Sequence, residues 1–159
     1  MSILLRPEVK ILYLRDARKI YTQGGNGLCY ATPDSIGLDL RACFTTREEK
    51  IRPGSRICVP TGIAVEPVTQ NLAGFIYSRS GLGAVQGLTV AQGTGVIDPD
   101  YRGEITVILL NTSSEVRYIK IGERIAQLIF QPAYQVTLRE VETLSPTERG
   151  TKGFGHTGK

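Results

Sequence analysis

Gly95-Val96-Ile97-Asp98-Pro99-Asp100-Tyr101-Arg102-Gly103 is the stretch from which the fold of this chain can be read. Apolar residues lead in (Val96, Ile97). Beyond Gly103, Ile105, Val107 and Leu109 alternate with Thr106, Ile108 and Leu110, the period of two that a pleated strand imposes. Two strands around a tight reversal predict a β-hairpin. Pro99 presets φ for the second turn position and Asp98 can open the turn with its side chain, while Gly95 and Gly103 leave backbone bare for a close approach. Asp before Pro is an ordinary turn opener. Two carboxylates, an aromatic ring and an arginine packed into one reversal make this turn a candidate site as well.

Outward from this turn the same alternation recurs in short pieces. Glu8 to Leu14 predicts a first strand, residues 22 to 35 a loop, and Leu38, Leu40 and Ala42 the buried face of a strand whose Asp39 and Arg41 face out. After a turn at Pro53-Gly54, the pieces Ile57 to Val59 and Ile63 to Val65, broken at Pro60 and Gly62, predict one bent or bulged strand. Ala73 to Tyr77 predicts a compact strand running into Ser78-Arg79-Ser80-Gly81-Leu82-Gly83, and residues 82 to 87 hold the only helical turns the pattern supports. Val116 to Ile121, Arg124 to Phe130 and Tyr134 to Val141 complete the strands. Many short strands with Gly and Pro between them indicate an all-β fold, a distorted jelly roll or barrel-like sandwich with at most one short helix. Residues 1 to 148 read as one β domain, and residues 149 to 159, with four glycines, as a flexible C-terminal arm.

Composition narrows the function classes. No apolar run approaches the ~18 residues of a membrane span, and Ile3-Leu4-Leu5 before Arg6 and Pro7 is too short for a signal peptide. These features predict a soluble, cytoplasmic protein. The three cysteines, Cys29, Cys43 and Cys58, are odd in number and show no C-x-x-C spacing, so they are expected to be reduced. One histidine, His156, leaves little for a His-rich metal site or a His-based triad. The net charge of +4 is scattered singly and aromatic content is only 7%, so no nucleic-acid platform is visible.

Five stretches, taken in order and spacing, resemble the trimeric deoxyuridine triphosphatases (dUTPases): Ile36 to Ala42; Ser78-Arg79-Ser80-Gly81-Leu82; Gly95 to Gly103; Arg124-Ile125-Ala126-Gln127-Leu128-Ile129; and Arg149 to Gly158. Two positions depart from the family pattern, Ser78 where proline is common and Lys152 where glycine is common. The resemblance implies hydrolysis of dUTP to dUMP and pyrophosphate by a homotrimer of distorted jelly rolls using Mg²⁺. It also implies active sites shared among three chains, with the first, second and fourth stretches from one, the hairpin from another and the arm from the third.

The resemblance also implies the roles of individual residues. Asp98 corresponds to the carboxylate that activates water, and Tyr101 to the ring against the deoxyribose, where a 2′-hydroxyl would clash. Residues 92 to 102, including Gln92 and Gly95, are expected to read the uracil edge through backbone groups. Arg79, Ser80 and Gly81 resemble a phosphate clamp, with Gln127 as a further phosphate contact. Asp39 is expected to act on Mg²⁺ through ordered water, unless it only braces the site. In the arm, Arg149, Gly155, His156 and Thr157 are assigned to the substrate, and Phe154 to the uracil face. A related deoxycytidine triphosphate deaminase would not need Phe154 over the base, so the intact arm argues against that alternative. A nucleotide-sensing adaptor that binds dUTP without turnover is disfavoured by Asp98.

Overall fold

The computed structural model of the chain describes residues 7–22 and 27–153. Among these described residues eleven strands form: β1 (Val9–Tyr13), β2 (Leu38–Arg41), β3 (Glu48–Ile51), β4 (Arg56–Pro60), β5 (Ile63–Pro67), β6 (Leu72–Ser78), β7 (Leu88–Val90), β8 (Gly95–Ile97), β9 (Thr106–Asn111), β10 (Arg117–Lys120) and β11 (Arg124–Pro132). All pair antiparallel, in the orders β2-β11-β6-β8, β4-β9-β7, β1-β5 and β10-β3. The expected all-β class holds, as packed sheets with no closed barrel. No helix among the described residues is long and apolar enough to cross a membrane.

Strand parity is met where one face is buried. Ile105, Val107 and Leu109 are at most 1% exposed, whereas Thr106 faces solvent and Ile108 and Leu110 are only partly covered. They join Leu40, Ile51, Val59, Ile63, Ile76, Leu88, Ile119, Ile125 and Leu128 in one core. Fully burying an aliphatic side chain of this size is worth ~1.5–3 kcal/mol, which is what fixes the register.

The expected hairpin is not one. β8 pairs with β6, and β9 with β4 and β7, so the Asp98–Gly103 turn carries the chain from one sheet to another. The bent strand at Pro60 and Gly62 is likewise two strands in two sheets, β4 on β9 and β5 on β1. A six-residue helix, α1 (Ala17–Thr22), lies between β1 and the expected loop and buries Ala17 and Tyr21, one turn apart. With the wide π-type turn at Leu82–Gln86 there are two short helical pieces instead of one. Tyr134 to Val141 forms no strand. Its alternating Tyr134, Val136 and Leu138 are 75%, 74% and 89% exposed, because among the described residues no strand lies alongside to cover them. Cys43 is buried, Cys29 and Cys58 are exposed, and all three are free.

Candidate active site

The expected site residues fall into two groups. The first gathers where β6 ends. Gln127 of β11 stands opposite Asp39 of β2 on one side and Tyr77 of β6 on the other. Asp39, expected to face solvent, has only 17% of its side chain exposed, because two arginines cover it. Arg79 Nε donates to Oδ1 and Arg124 Nη1 to Oδ2, each at 3.0 Å, and Arg79 Nη1 donates to the Arg124 carbonyl at 3.1 Å. The carboxylate thus holds the two guanidinium groups in place by charge-assisted hydrogen bonds. Ser80 and Gly81 follow Arg79 in the open, and a side chain at Gly81 would meet nothing within 4 Å. Ser78 has a role of its own here: its Oγ accepts the Val90 amide at 2.8 Å and ties the end of β6 to β7, a bond proline could not offer.

Arg124 was not among the expected site residues. Its cue in the sequence is faint, because the register of β11 against β2 slips between Arg124 and Ala126. Such a bulge re-aims a side chain that simple alternation would place elsewhere.

The second group lies on the turn after β8. Asp98 and Asp100 are exposed, and the Asp98 carbonyl accepts the Tyr101 amide at 3.1 Å. Asp98 borders an open groove of about 700 Å³ with Asn71, Phe75, Val96, Pro99 and Tyr134. The Tyr101 ring folds back over Gly103, and its hydroxyl donates to the Glu104 carbonyl at 3.0 Å. Gln92 and Gly95 sit between the groups, with Gly95 packed against Ile76 and the Gln92 amide.

Register separates the two groups. Ile97 pairs with Gly74, which puts Asp98 level with Ala73, whereas Arg79 lies beyond the other end of β6. Six residues of strand span about 20 Å. One chain therefore does not bring its own Asp98 to its own Arg79. Arg149 is exposed and its Nε donates to the Lys152 carbonyl at 3.2 Å, while Phe154, Gly155, His156 and Thr157 lie outside the described residues.

A dUTPase family model matches residues 25–158, a span that includes all five stretches. The chain belongs to the dUTPase family. It is 44% identical over 129 residues to the deoxyuridine 5′-triphosphate nucleotidohydrolase of Shewanella halifaxensis, covering 81% of this chain and 84% of that one. Two solved dUTPases share the fold. That of Staphylococcus bacteriophage 80alpha, with dUpNHpp, has a TM-score of 0.75 at 23% identity and covers 96% of this chain and 99% of its own. That of phage phi11 of S. aureus, with a structural Mg(II) ion, has a TM-score of 0.73 at 18% identity and covers 87% and 99%.

For this dUTPase the fit of magnesium can be tested on the side chains. Among the described residues no three carboxylate, thiol or imidazole groups gather as a ligand set would. Asp39 already gives one oxygen to each of two arginines. Two guanidinium charges at that distance oppose direct binding of a divalent cation to this carboxylate.

Proposed function

We propose that this chain is a dUTP diphosphatase that hydrolyses dUTP to dUMP and pyrophosphate, limiting uracil incorporation into DNA and supplying dUMP for thymidylate synthesis. The observation that carries the reading is the family match, which spans every stretch on which the chemistry rests. In the proposed reaction a water oxygen attacks the α-phosphorus and its proton passes to the Asp98 carboxylate. The bond from that phosphorus to the oxygen bridging to the β-phosphate breaks, and pyrophosphate leaves. Arg79 supplies a braced positive charge to the triphosphate, Ser80 a hydroxyl, Gly81 an unobstructed amide and Gln127 a further polar contact. The Tyr101 ring forms the wall that a 2′-hydroxyl would strike, and backbone groups from Gln92 to Arg102, with Gly95 leaving room, read the uracil edge. Mg²⁺ enters as part of the substrate, the magnesium complex of the triphosphate.

The working unit of this proposal is a homotrimer, and the distance of about 20 Å between the levels of Asp98 and Arg79 along β6 supports it. A site that needs both groups must take them from different copies. In the same reading residues 149 to 159 form an arm apart from the β domain, with Arg149 and Thr157 on the phosphates, Phe154 on the uracil, and Gly155 and His156 completing the closure.

The test is pyrophosphate and ammonia release from a panel of nucleoside triphosphates, with and without Mg²⁺, for the parent and for Asp98→Asn. Pyrophosphate is expected from dUTP, with no ammonia from dCTP. The asparagine keeps the turn's shape but cannot take a proton, so turnover should fall by a factor of about 10²–10⁴ while a non-hydrolysable dUTP analogue still binds. Turnover of Asp98→Asn within a few-fold of the parent removes Asp98 as the base.

A further inference from the structure

We propose that Glu104, clasped by Arg15 and the Gly62 amide, is the positioning residue that sets the Tyr101 ring and with it the discrimination between deoxyribose and ribose. The inference rests on the dUTP-hydrolysing role proposed above and assigns work to three residues which that role left unused.

Residues 98 to 102 are all solvent-exposed or nearly so, and their few hydrogen bonds are mostly local. Tyr101 donates its amide to Asp98, and Arg102 Nη1 donates to the carbonyls of Pro99 and Tyr101 at 2.7 and 3.1 Å. Beyond these bonds, a half-exposed ion pair at 4.0 Å between Arg102 and Glu66 of β5 joins the turn to its surroundings at the surface, and it reaches no buried group. The tie to the core comes at Glu104, whose side chain is only 21% exposed. Its Oε2 accepts Arg15 Nη1 at 2.9 Å, its Oε1 accepts Arg15 Nη2, and Oε1 also takes the Gly62 amide at 2.7 Å. A two-pronged guanidinium contact fixes direction as well as distance, which a single point charge would not. The same residue's carbonyl receives the Tyr101 hydroxyl. Ring and core are therefore joined through one residue.

One partner of Glu104 is held in a costly conformation and the other in one that suits only glycine. Arg15 has φ +52°, in the left-handed region that bulky side chains avoid. Gly62 has φ +69°, and a methyl there would overlap the Ala17 side chain and come within 2.9 Å of Cys43 Sγ, so only glycine brings this amide to the carboxylate. A strained Arg15 and a position that admits only glycine, from separate parts of the chain, thus converge on one carboxylate beside the turn, the pattern expected where geometry has to be held. Arg15 and the Gly62 amide together also hold the Glu104 carboxyl below its usual range.

The experiment compares kcat/KM for dUTP and for UTP in the assembled parent, Glu104→Gln, Arg15→Lys and the double variant, with thermal melts alongside. Loosening the ring should lower the dUTP-to-UTP ratio by about ten- to a hundredfold, chiefly through kcat, since small misplacements near the reacting atoms carry losses of this order. Arg15→Lys keeps the charge but not the fork and is expected to fall between the parent and Glu104→Gln. The double variant should be no worse than the worse single one, because the two residues act as one device. A lower melting temperature with the ratio within twofold of the parent in every variant means the clasp is only structural and overturns the proposal. A parent that discriminates and variants that keep its ratio overturn this inference alone, whereas a parent without dUTP turnover overturns both it and the reading beneath it.

Discussion

Asp39 binds two arginines through one carboxylate, and this decides what its loss would do. Asp39→Asn removes a charge that accepts from Arg79 Nε and Arg124 Nη1. Hydrogen bonds to charged groups contribute ~1.5–3 kcal/mol, so a loss of that order in unfolding free energy is expected, read from denaturant melts. If Asp39 braces the clamp and holds no cation, the Mg²⁺ concentration for half-maximal turnover should move by less than about twofold, while KM rises. A tenfold shift in Mg²⁺ requirement would restore the metal role. Glu104 gives a second prediction at this scale. Its folded carboxyl is held below the usual carboxylate range, chiefly by the Arg15 hydrogen bonds, which outweigh the opposing effect of burial, with a lesser contribution from the Gly62 amide. A depressed folded value contributes stability above the ordinary carboxylate range that is lost as pH falls through it. The gap in melting temperature between the parent and Glu104→Gln should be widest at neutral pH and should close in acid.

At the scale of elements, the Asp98–Gly103 turn is shaped by what Gly103 leaves out. A methyl at this position would overlap the Tyr101 phenol, so Gly103→Ala has to push the ring aside. The turn is exposed and can relax, so the stability loss should stay near or below the ~1–3 kcal/mol of core overpacking, while kcat/KM for dUTP falls by tenfold or more. Melting and steady-state kinetics on the same preparation separate the two effects. What the sequence disclosed here was parity and not partnership: alternation in Ile105 to Leu110 identified the strand and its buried face, but a period of two cannot say which strand lies alongside. For the same reason Ile57 to Val65 reads as one bent strand, and Tyr134 to Val141 reads as a strand although none of the described strands pairs with it. β3 is not legible in the sequence because Glu48-Glu49-Lys50 carries no apolar alternation, nor is α1, because it buries only Ala17 and Tyr21, one turn apart. At the candidate site the five stretches were legible in sequence, whereas the Arg124 contact depends on a bulge and the Glu104 clasp on residues 42 and 89 positions away.

Across the whole molecule, separation of the two groups makes a prediction that no single-chain property can. Arg79→Ala and Asp98→Asn should each be nearly inactive as pure proteins. When the two are unfolded together and refolded as mixtures of the proposed trimer, some sites are expected to draw an intact Arg79 from one chain and an intact Asp98 from another. Activity should return to roughly a tenth to a third of the parent, the range set by how often intact groups meet if assembly is random and each site is built from different copies. No recovery after verified mixing would place both groups of each site in one chain and contradict the register of β6 and β8.

Gly62 touches no group assigned to the chemistry, yet little else could stand in its place. Its backbone lies in the left-handed region, with Ala17 and Cys43 pressed against its α-carbon and its amide committed to Glu104. A side chain here would have to displace a helix residue and a core thiol together, and would withdraw the amide as it did so. Alleles of such a protein should therefore be sorted by this position as severely as by Asp98: drift can explore exposed Val85, but the line of descent through residue 62 is nearly a single track.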